Sequence, residues 1–200
     1  DATGAFQLRC PPLPAGGPHR LLLEGSETVA VEDVLVGEVW LAAGQSNMEW
    51  KLGSAADADA EIAAAEHPAL RVLTVADRAA WEPLATGEGE WVPVSPATAA
   101  ELTAIGTFFA RELRRHLGVP VGIIDAAWGG TPIAAWLSVA AHRALEPGID
   151  QELARLRAGL AELPALEAAH AAALQAWERG AFPPDPPNSA AERGWARPDL

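Results

Sequence analysis

The chain has 200 residues, enough for one α/β domain whose core needs no disulfide or metal to hold it together. Its single cysteine, Cys10, excludes an intramolecular disulfide and a cysteine-cluster zinc or iron–sulfur site. Aspartate and glutamate number 27 against 14 lysine and arginine, a net charge of −13, which argues against nucleic acid and anionic membranes as partners.

The ends of the chain predict a fragment of a longer protein. No apolar run approaches the roughly 20 residues of a membrane helix, so we expect no membrane span. The chain begins at Asp1 without a basic or apolar leader, and a proline-rich stretch precedes its last residues. We therefore expect any signal peptide to lie upstream, which leaves the compartment open, and a missing C-terminal portion of the same protein to be a partner.

Residues 1–33 show short strand-like runs separated by turns. The pattern predicts strands at 6–10, 19–23 and 28–34, with a proline- and glycine-rich turn at 11–18. Such a succession is typical of the C-terminal end of an all-β module.

From residue 34 the pattern changes to alternating strands and helices. A nearly continuous apolar run at 37–43 predicts a strand buried on both faces, ending at Gly44. An alanine-rich stretch at 55–66 predicts a helix, and 70–75 predicts a second strand. We interpret residues 81–94 as an irregular loop or a hairpin.

A longer helix is predicted at residues 99–117. Its apolar positions recur at helical spacing, and Gly118 follows as the stop; the positions are Leu102, Ile105, Phe108, Phe109 and Leu113. A strand at 119–125 completes a β-α-β-α-β order, which predicts a parallel sheet with helices on its faces. Residues 147–180 predict one or two surface helices broken near Pro164, and 181–200 a linker.

The most informative segment is residues 44–50, where a strand ends and a helical segment follows. Gly44 allows a tight turn that leaves Ser46 exposed near a helix N-terminus with its own N–H free. Ligands of open α/β sheets bind at this edge, and the helix dipole favours negative charge there. Ser46 is therefore a candidate nucleophile, and its N–H a candidate oxyanion donor. The spacing alone also fits Ser46 as a simple helix cap, with Glu49 three residues on.

A second glycine-rich bend follows the strand at 119–125. Gly129 and Gly130 leave bare backbone there, and the N–H group of either glycine is a candidate second oxyanion donor. Pro132 fits the first turn of another helix. A pair of glycines after a strand is more often a plain turn, so this bend is evidence for an oxyanion hole only in combination with the Ser46 segment.

Several motifs together resemble the sialate O-acetylesterase family of SGNH (GDSL-like) hydrolases. They are residues 34–40, 44–50 (Gly-Gln-Ser-Asn-Met-Glu-Trp), 108–113, 119–125, 128–132 and 135–136. The resemblance implies a three-layer α/β/α sandwich with a parallel sheet, preceded at residues 1–33 by the end of a β-sandwich module. Residues 34–146 would form the first part of the hydrolase core, 147–180 a helical segment, and 181–200 a linker towards a missing module.

The resemblance also implies a reaction, the removal of acetyl groups from sugar hydroxyls. Ser46 would be the nucleophile, with Ser46, Gly129 and Gly130 forming the oxyanion hole. No metal or other cofactor is implied. Gln45, Asn47 and Trp128 are further candidates for substrate binding, although hydrogen bonds that hold the turn are the more common role of such polar side chains. We expect Trp50, Trp128 and Trp136 to pack in the core, the usual place of tryptophan.

The family also supplies an asparagine oxyanion donor and a D-x-x-H base, and neither block is found in this chain. His170 follows Glu167 by three residues inside a predicted helix, where the two are ordinary surface neighbours, so we do not assign His170 to catalysis. We therefore expect the isolated 200 residues to be nearly inactive. The alternatives that stay open are an acetylxylan-type or other carbohydrate deacetylase and a non-catalytic carbohydrate-binding module.

Overall fold

The computed structural model describes residue 9 and residues 11–179. Within them the chain divides into two compact units, one ending at Trp136 and the other beginning at Leu137. The linker predicted at 181–200 and, apart from Arg9, the strand predicted at 6–10 lie outside the described residues.

The first unit begins with an antiparallel hairpin. Strands β1 (Gly16–Glu24) and β2 (Thr28–Val36) form a two-stranded sheet of their own, in which Leu22 lies opposite Ala30. The two strands predicted at 19–23 and 28–34 are thereby confirmed. The module boundary at residue 33 stays a prediction.

A four-stranded sheet forms the centre of the first unit. Its strands are β3 (Glu38–Gly44), β4 (His67–Thr74), β5 (Trp91–Val94) and β6 (Val121–Ala127), in the spatial order β3-β6-β4-β5. The first three strands in that order are parallel, as predicted, whereas β5 pairs antiparallel with β4. The α/β class is confirmed, and the sheet is mixed. Residues 81–90 form no helix or strand, as the loop interpretation predicted, and 91–94 form the strand that pairs with β4.

Three helices accompany this sheet: α1 (Ser46–Glu49), α2 (Ala58–Ala63) and α3 (Ala104–Leu117). Short 3₁₀ turns lie at Leu52–Ser54, Ala99–Glu101 and Ile133–Trp136. α3 ends where predicted, because Gly118 takes the left-handed conformation, with φ of 70°, that favours glycine.

The face of α3 that packs on β4 and β6 differs from the predicted apolar stripe. Its buried residues are small: Ala104, Gly106, Thr107 and Ala110. A Cβ on Gly106 would lie 3.2 Å from the Ile123 side chain, so the glycine lets the helix approach the sheet closely. Two residues of the predicted stripe, Ile105 and Phe109, stay exposed, while Leu102 is buried and Phe108 and Leu113 pack against the core.

The prediction that the strand at 37–43 is buried on both faces is wrong. Val39 is 60% exposed and Leu41 66%, and Ala42 is the buried residue of this strand. β3 is an edge strand, and the face that bears Val39 and Leu41 is left uncovered within the described part of the first unit. On the other face Trp40 meets Phe109 of α3 edge to face, with ring centres 5.2 Å apart.

The second unit contains α4 (Val139–Leu145) and α5 (Asp150–Glu178). The prediction of a break near Pro164 is wrong, because α5 continues through it. A proline removes one backbone hydrogen bond from a helix. The alanine-, leucine- and glutamate-rich turns on both sides are strong helix formers, which explains why the helix resumes.

Candidate active site

The two predicted bends lie side by side at the carboxyl ends of neighbouring parallel strands. β3 and β6 run in register until Gly44 pairs with Ala127. One residue later the Trp128 N–H donates a hydrogen bond to the Gly44 carbonyl, 3.0 Å away. The segment that carries Ser46 and the segment that carries Gly129 therefore leave the sheet together.

Ser46 is exposed and is the first residue of α1. The residue that caps this helix is Gln45, whose side-chain Oε1 accepts the Ser46 N–H at 3.0 Å and the Ser46 hydroxyl at 2.7 Å. The interpretation of Ser46 as the cap is therefore wrong, and so is the expectation of a free N–H. Both polar groups of Ser46 are held by the neighbouring amide oxygen, which is itself exposed.

The Gly129 backbone lies directly against Ser46 and Glu49. A Cβ built on Gly129 would be 3.5 Å from Ser46 Oγ and would overlap Glu49 Oε2. The Glu49 carboxylate thus occupies the space that any side chain at position 129 would need. A larger residue at position 129 therefore requires the Glu49 carboxylate, the end of a flexible side chain, to move aside.

Gly130, the other glycine predicted as an oxyanion donor, lies in the same bend after β6. Gly130 is exposed and has φ of 77°, a conformation that favours glycine. Within the described part of the chain, neither the Gly129 N–H nor the Gly130 N–H donates a hydrogen bond. Asn47, in the first turn of α1, is also exposed.

The bend after β6 is closed by its own hydrogen bonds. Thr131 Oγ1 donates to the Trp128 carbonyl at 2.7 Å and accepts the Trp136 indole N–H at 2.9 Å. The two tryptophans of this bend are therefore held in place, yet Trp128 is 39% exposed and Trp136 40%. Trp50 is 52% exposed, so the expectation of core packing is wrong for all three.

Thr103 is a residue that the sequence reasoning missed. It is fully buried, caps α3 through a hydrogen bond from the Gly106 N–H, and donates its hydroxyl to the Met48 carbonyl at 2.6 Å. The Ala104 N–H also bonds to the Trp50 carbonyl, 2.8 Å away. The start of α3 thereby fixes the segment that follows Ser46. Threonine before an apolar-periodic stretch is a known cap signal, but the helix was predicted to begin at residue 99, five residues before its observed start at Ala104.

Asp125 is buried next to this edge of the sheet. It lies in register with Ala42 of β3 and Thr74 of β4 and is 1% exposed. Its Oδ1 has no hydrogen-bond partner within the described residues. Burial raises the pKa of the Asp125 carboxyl, the negative charges of Glu49 and Asp77 raise it further, and the positive charge of Lys51 opposes them.

Stability is expected to depend on pH through Asp125. Because its pKa is higher in the folded protein than in the unfolded chain, the folded state binds more protons between those two pKa values. The free energy of unfolding falls as the pH rises through that interval. Asp125→Asn removes this fall and is expected to raise the free energy of unfolding at pH 8 by about 1 kcal/mol or more, because burying an unpaired charge is costly.

Urea unfolding of the wild type and Asp125→Asn between pH 4 and pH 8 measures this difference. Asp59→Asn is the matched control, since Asp59 is exposed and is not among the charges that act on Asp125. Parallel stability curves for the wild type and Asp125→Asn would contradict the prediction.

The site is built from hydroxyl, amide and carboxylate groups. No three or more histidine, cysteine, aspartate or glutamate side chains cluster to hold a metal within residues 11–179. Among the same residues, no helix is long and apolar enough to span a membrane. His170 lies inside α5, as its sequence context predicted. An exposed serine hydroxyl beside a glycine-rich bend at a sheet edge is an arrangement suited to acyl transfer.

Comparison with known proteins shows that this chain is similar to carbohydrate esterases. A solved structure of a carbohydrate acetylesterase from Xanthomonas citri is 47% identical, with a TM-score of 0.68 over 70% of this chain and 33% of that protein. The sialate O-acetylesterases of Rattus norvegicus and Homo sapiens are 35% and 32% identical over 66% and 64% of this chain. The chain spans about a quarter of the length of these curated relatives, 27% in each case.

The family assignment follows from the match over most of the first unit and part of the second. Residues 36–166 match the model of the carbohydrate esterase family described as sialic acid-specific acetylesterase. The chain belongs to this family, which confirms the resemblance seen in its motifs.

Proposed function

We propose that this chain supplies the nucleophile and oxyanion donors of a serine esterase that removes O-acetyl groups from carbohydrate. The proposal rests chiefly on one observation: Ser46 Oγ lies beside the Gly129 backbone at the carboxyl ends of two adjacent parallel strands. Family membership supports the same chemistry.

The reaction begins when Ser46 Oγ attacks the acetyl carbonyl carbon. The serine proton passes to a base, and the carbonyl oxygen becomes an oxyanion held by the N–H groups of Ser46, Gly129 and Gly130. Gln45 Oε1 must first release the Ser46 N–H and hydroxyl that it now accepts. The sugar alcohol then leaves with a proton, and water hydrolyses the acetyl-serine to acetate.

The base is proposed to come from outside these 200 residues. None of the five histidines has an aspartate three residues before it, the pattern that the family uses. This part of the proposal predicts that the 200 residues alone turn over substrate very slowly.

The proposed substrate is an O-acetylated sialic acid, as the family's description indicates. A second candidate is an acetylated neutral glycan, such as xylan. The carboxylate of Glu49 lies against Gly129, Asp125 lies close enough to sense its charge, and the whole chain carries −13. These charges repel a substrate that itself carries a carboxylate.

A chimera tests the proposed activity. The segment of the Xanthomonas citri enzyme that aligns with this chain is replaced by this chain's residues, and acetate release is measured with 9-O-acetyl-N-acetylneuraminic acid and with acetylated xylotetraose. We expect activity within about tenfold of the parent on one of these substrates, and activity at least about 10³-fold lower for the 200-residue protein alone. A folded chimera that releases no acetate would refute the esterase proposal in favour of a binding module.

A further inference from the structure

A cavity of about 460 Å³ lies at the opposite end of the sheet from Ser46. It is bounded by β2 on one side and by the amino ends of β3 and β6 on the other, and Arg71 of β4 and Trp91 of β5 complete its lining. Ser46 follows the carboxyl end of the seven-residue strand β3, so the two places are separated by roughly 20 Å of strand. The cavity has the size of ordinary small-molecule sites, which are about 300–1,000 Å³.

One wall of the cavity is an aromatic ring laid across a glycine. The Trp91 ring atoms Cη2 and Cζ3 lie 3.0 and 3.1 Å from where a Cβ on Gly122 would stand, so the ring fills the place of the missing side chain. Trp91 is nevertheless 43% exposed. Val39, 60% exposed, adds apolar surface beside it. The cavity therefore contains a flat apolar surface, the Trp91 ring, with one face packed on Gly122 and the rest partly exposed to solvent.

Charged groups surround this platform. Arg71 donates to Asp33 Oδ2 at 2.8 Å and to the Pro68 carbonyl at 3.2 Å, and its side chain is 18% exposed. Asp33 reaches it from a left-handed backbone conformation, with φ of 58°. The carboxylates of Glu32 and Glu38 also line the cavity. The guanidinium is thus fixed in orientation by the hairpin and the sheet together.

The lining carries three carboxylates and one guanidinium, and a second guanidinium, that of Arg20, is paired with Glu32 at 2.6 Å. A net charge of −1 remains, so the cavity disfavours anions. A neutral saccharide fits both features of the lining. The C–H face of a sugar ring packs on an indole, and its hydroxyls donate to carboxylates and accept from a guanidinium. A sugar that carries its own carboxylate would be disfavoured.

We propose that this cavity is a second, non-catalytic site that binds a neutral saccharide on Trp91. The choice of a saccharide as ligand rests on the proposed function, since an esterase that acts on a glycan meets many sugar units besides the acetylated one. The site would hold the chain of a neutral glycan away from Ser46 without contributing to the chemistry.

The experiment titrates xylotetraose into the 200-residue protein and follows the indole N–H signals by NMR, with the Trp91 signal identified from Trp91→Phe. We expect the Trp91 signal to shift and N-acetylneuraminic acid to leave it unchanged. Trp91→Ala has no Trp91 signal, so its binding is measured by titration calorimetry beside the wild type; it is expected to be at least about fivefold weaker, as loss of an aromatic stacking partner causes. Val39→Trp, which fills the cavity and leaves Trp91 in place, is expected to weaken binding equally.

Trp128→Ala is the matched control, because Trp128 belongs to the Ser46 edge and is similarly exposed. Binding that Trp128→Ala removes and the Trp91 and Val39 variants leave intact would overturn the proposal. So would the absence of any shift with xylotetraose, or a Trp91 signal that responds to glucosamine and ignores xylotetraose, which would make the site one for amines. None of these readouts depends on catalysis, so a failed esterase proposal would show only in acetate release.

Discussion

Ser46→Ala in the chimera is expected to lower kcat/KM for acetate release by at least about 10⁴-fold, because removal of a covalent nucleophile eliminates the acyl-enzyme route. Substrate binding is expected to persist, since the substitution removes only one oxygen atom from an exposed position. The measurement is acetate release under single-turnover and steady-state conditions.

Ser54→Ala is the matched control for Ser46→Ala. Ser54 is also exposed and lies in the 3₁₀ turn that follows α1 in the chain, so it reports any general effect of serine removal nearby. We expect Ser54→Ala to retain activity within about twofold, as surface substitutions usually do. If Ser46→Ala kept more than a tenth of the activity, the nucleophile would have to be another group.

Gly129→Ala tests the proposed oxyanion donors while leaving the proposed nucleophile, Ser46, in place. The added methyl group overlaps the Glu49 carboxylate and lies near Ser46 Oγ, so either the carboxylate moves or the bend shifts. A shift of the bend displaces the Gly129 and Gly130 N–H groups, and loss of one oxyanion donor costs roughly 10²- to 10³-fold in kcat. A drop in kcat with little change in KM is therefore expected, in contrast to a substitution that weakens binding uniformly.

The meeting of the two bends at one sheet edge, the candidate site, was predictable because strand ends carry strong local signals. An apolar run that stops at Gly44 and another that leads to Gly129 indicate two strands and two bends. Parallel neighbours bring such bends to one edge of a sheet, and the register of Gly44 with Ala127 does so here. The family motifs pointed to the same residues.

The hydrogen bonds of Ser46 and the exposure of β3 were not predicted, because they depend on where side chains point and on which strands are neighbours. Nothing in the pattern around Ser46 indicates that Gln45, an unusual cap, would take both of its polar hydrogens. Burial of β3 could not be read from its composition, because an edge strand and a central strand can share the same apolar run. The three exposed tryptophans show the same limit, since the average burial of tryptophan does not predict the exposure of one that lies at the edge of a sheet.

Buried polar residues were the hardest to assign. Asp125 ends a predicted strand, and nothing in the sequence around it indicates that its Oδ1 is without a partner in the described residues and that burial raises its pKa. Thr103 lies inside a stretch predicted as helix, so its role as the first residue outside that helix was hidden. In both cases the deciding contacts come from segments distant in sequence.

Thr103→Val is expected to destabilise the protein by about 2 kcal/mol, because valine has nearly the same shape but leaves the Met48 carbonyl and the Gly106 N–H without their partner. The bond to Met48 joins α3 to the helix that carries Ser46, so the same variant in the chimera is expected to lower kcat as well. Urea unfolding of the 200-residue protein and acetate release by the chimera measure the two effects.

Thr107→Val is the matched control, because Thr107 is also buried in α3 and its Oγ1 has no hydrogen-bond partner within the described residues. Replacing an unpaired buried hydroxyl by a methyl group is expected to be neutral or slightly stabilising. Equal losses of stability in the two variants would mean that valine is simply too tight a fit at this helix. A loss confined to Thr103→Val, together with a lower kcat, would show that the cap of α3 holds the nucleophile segment in place.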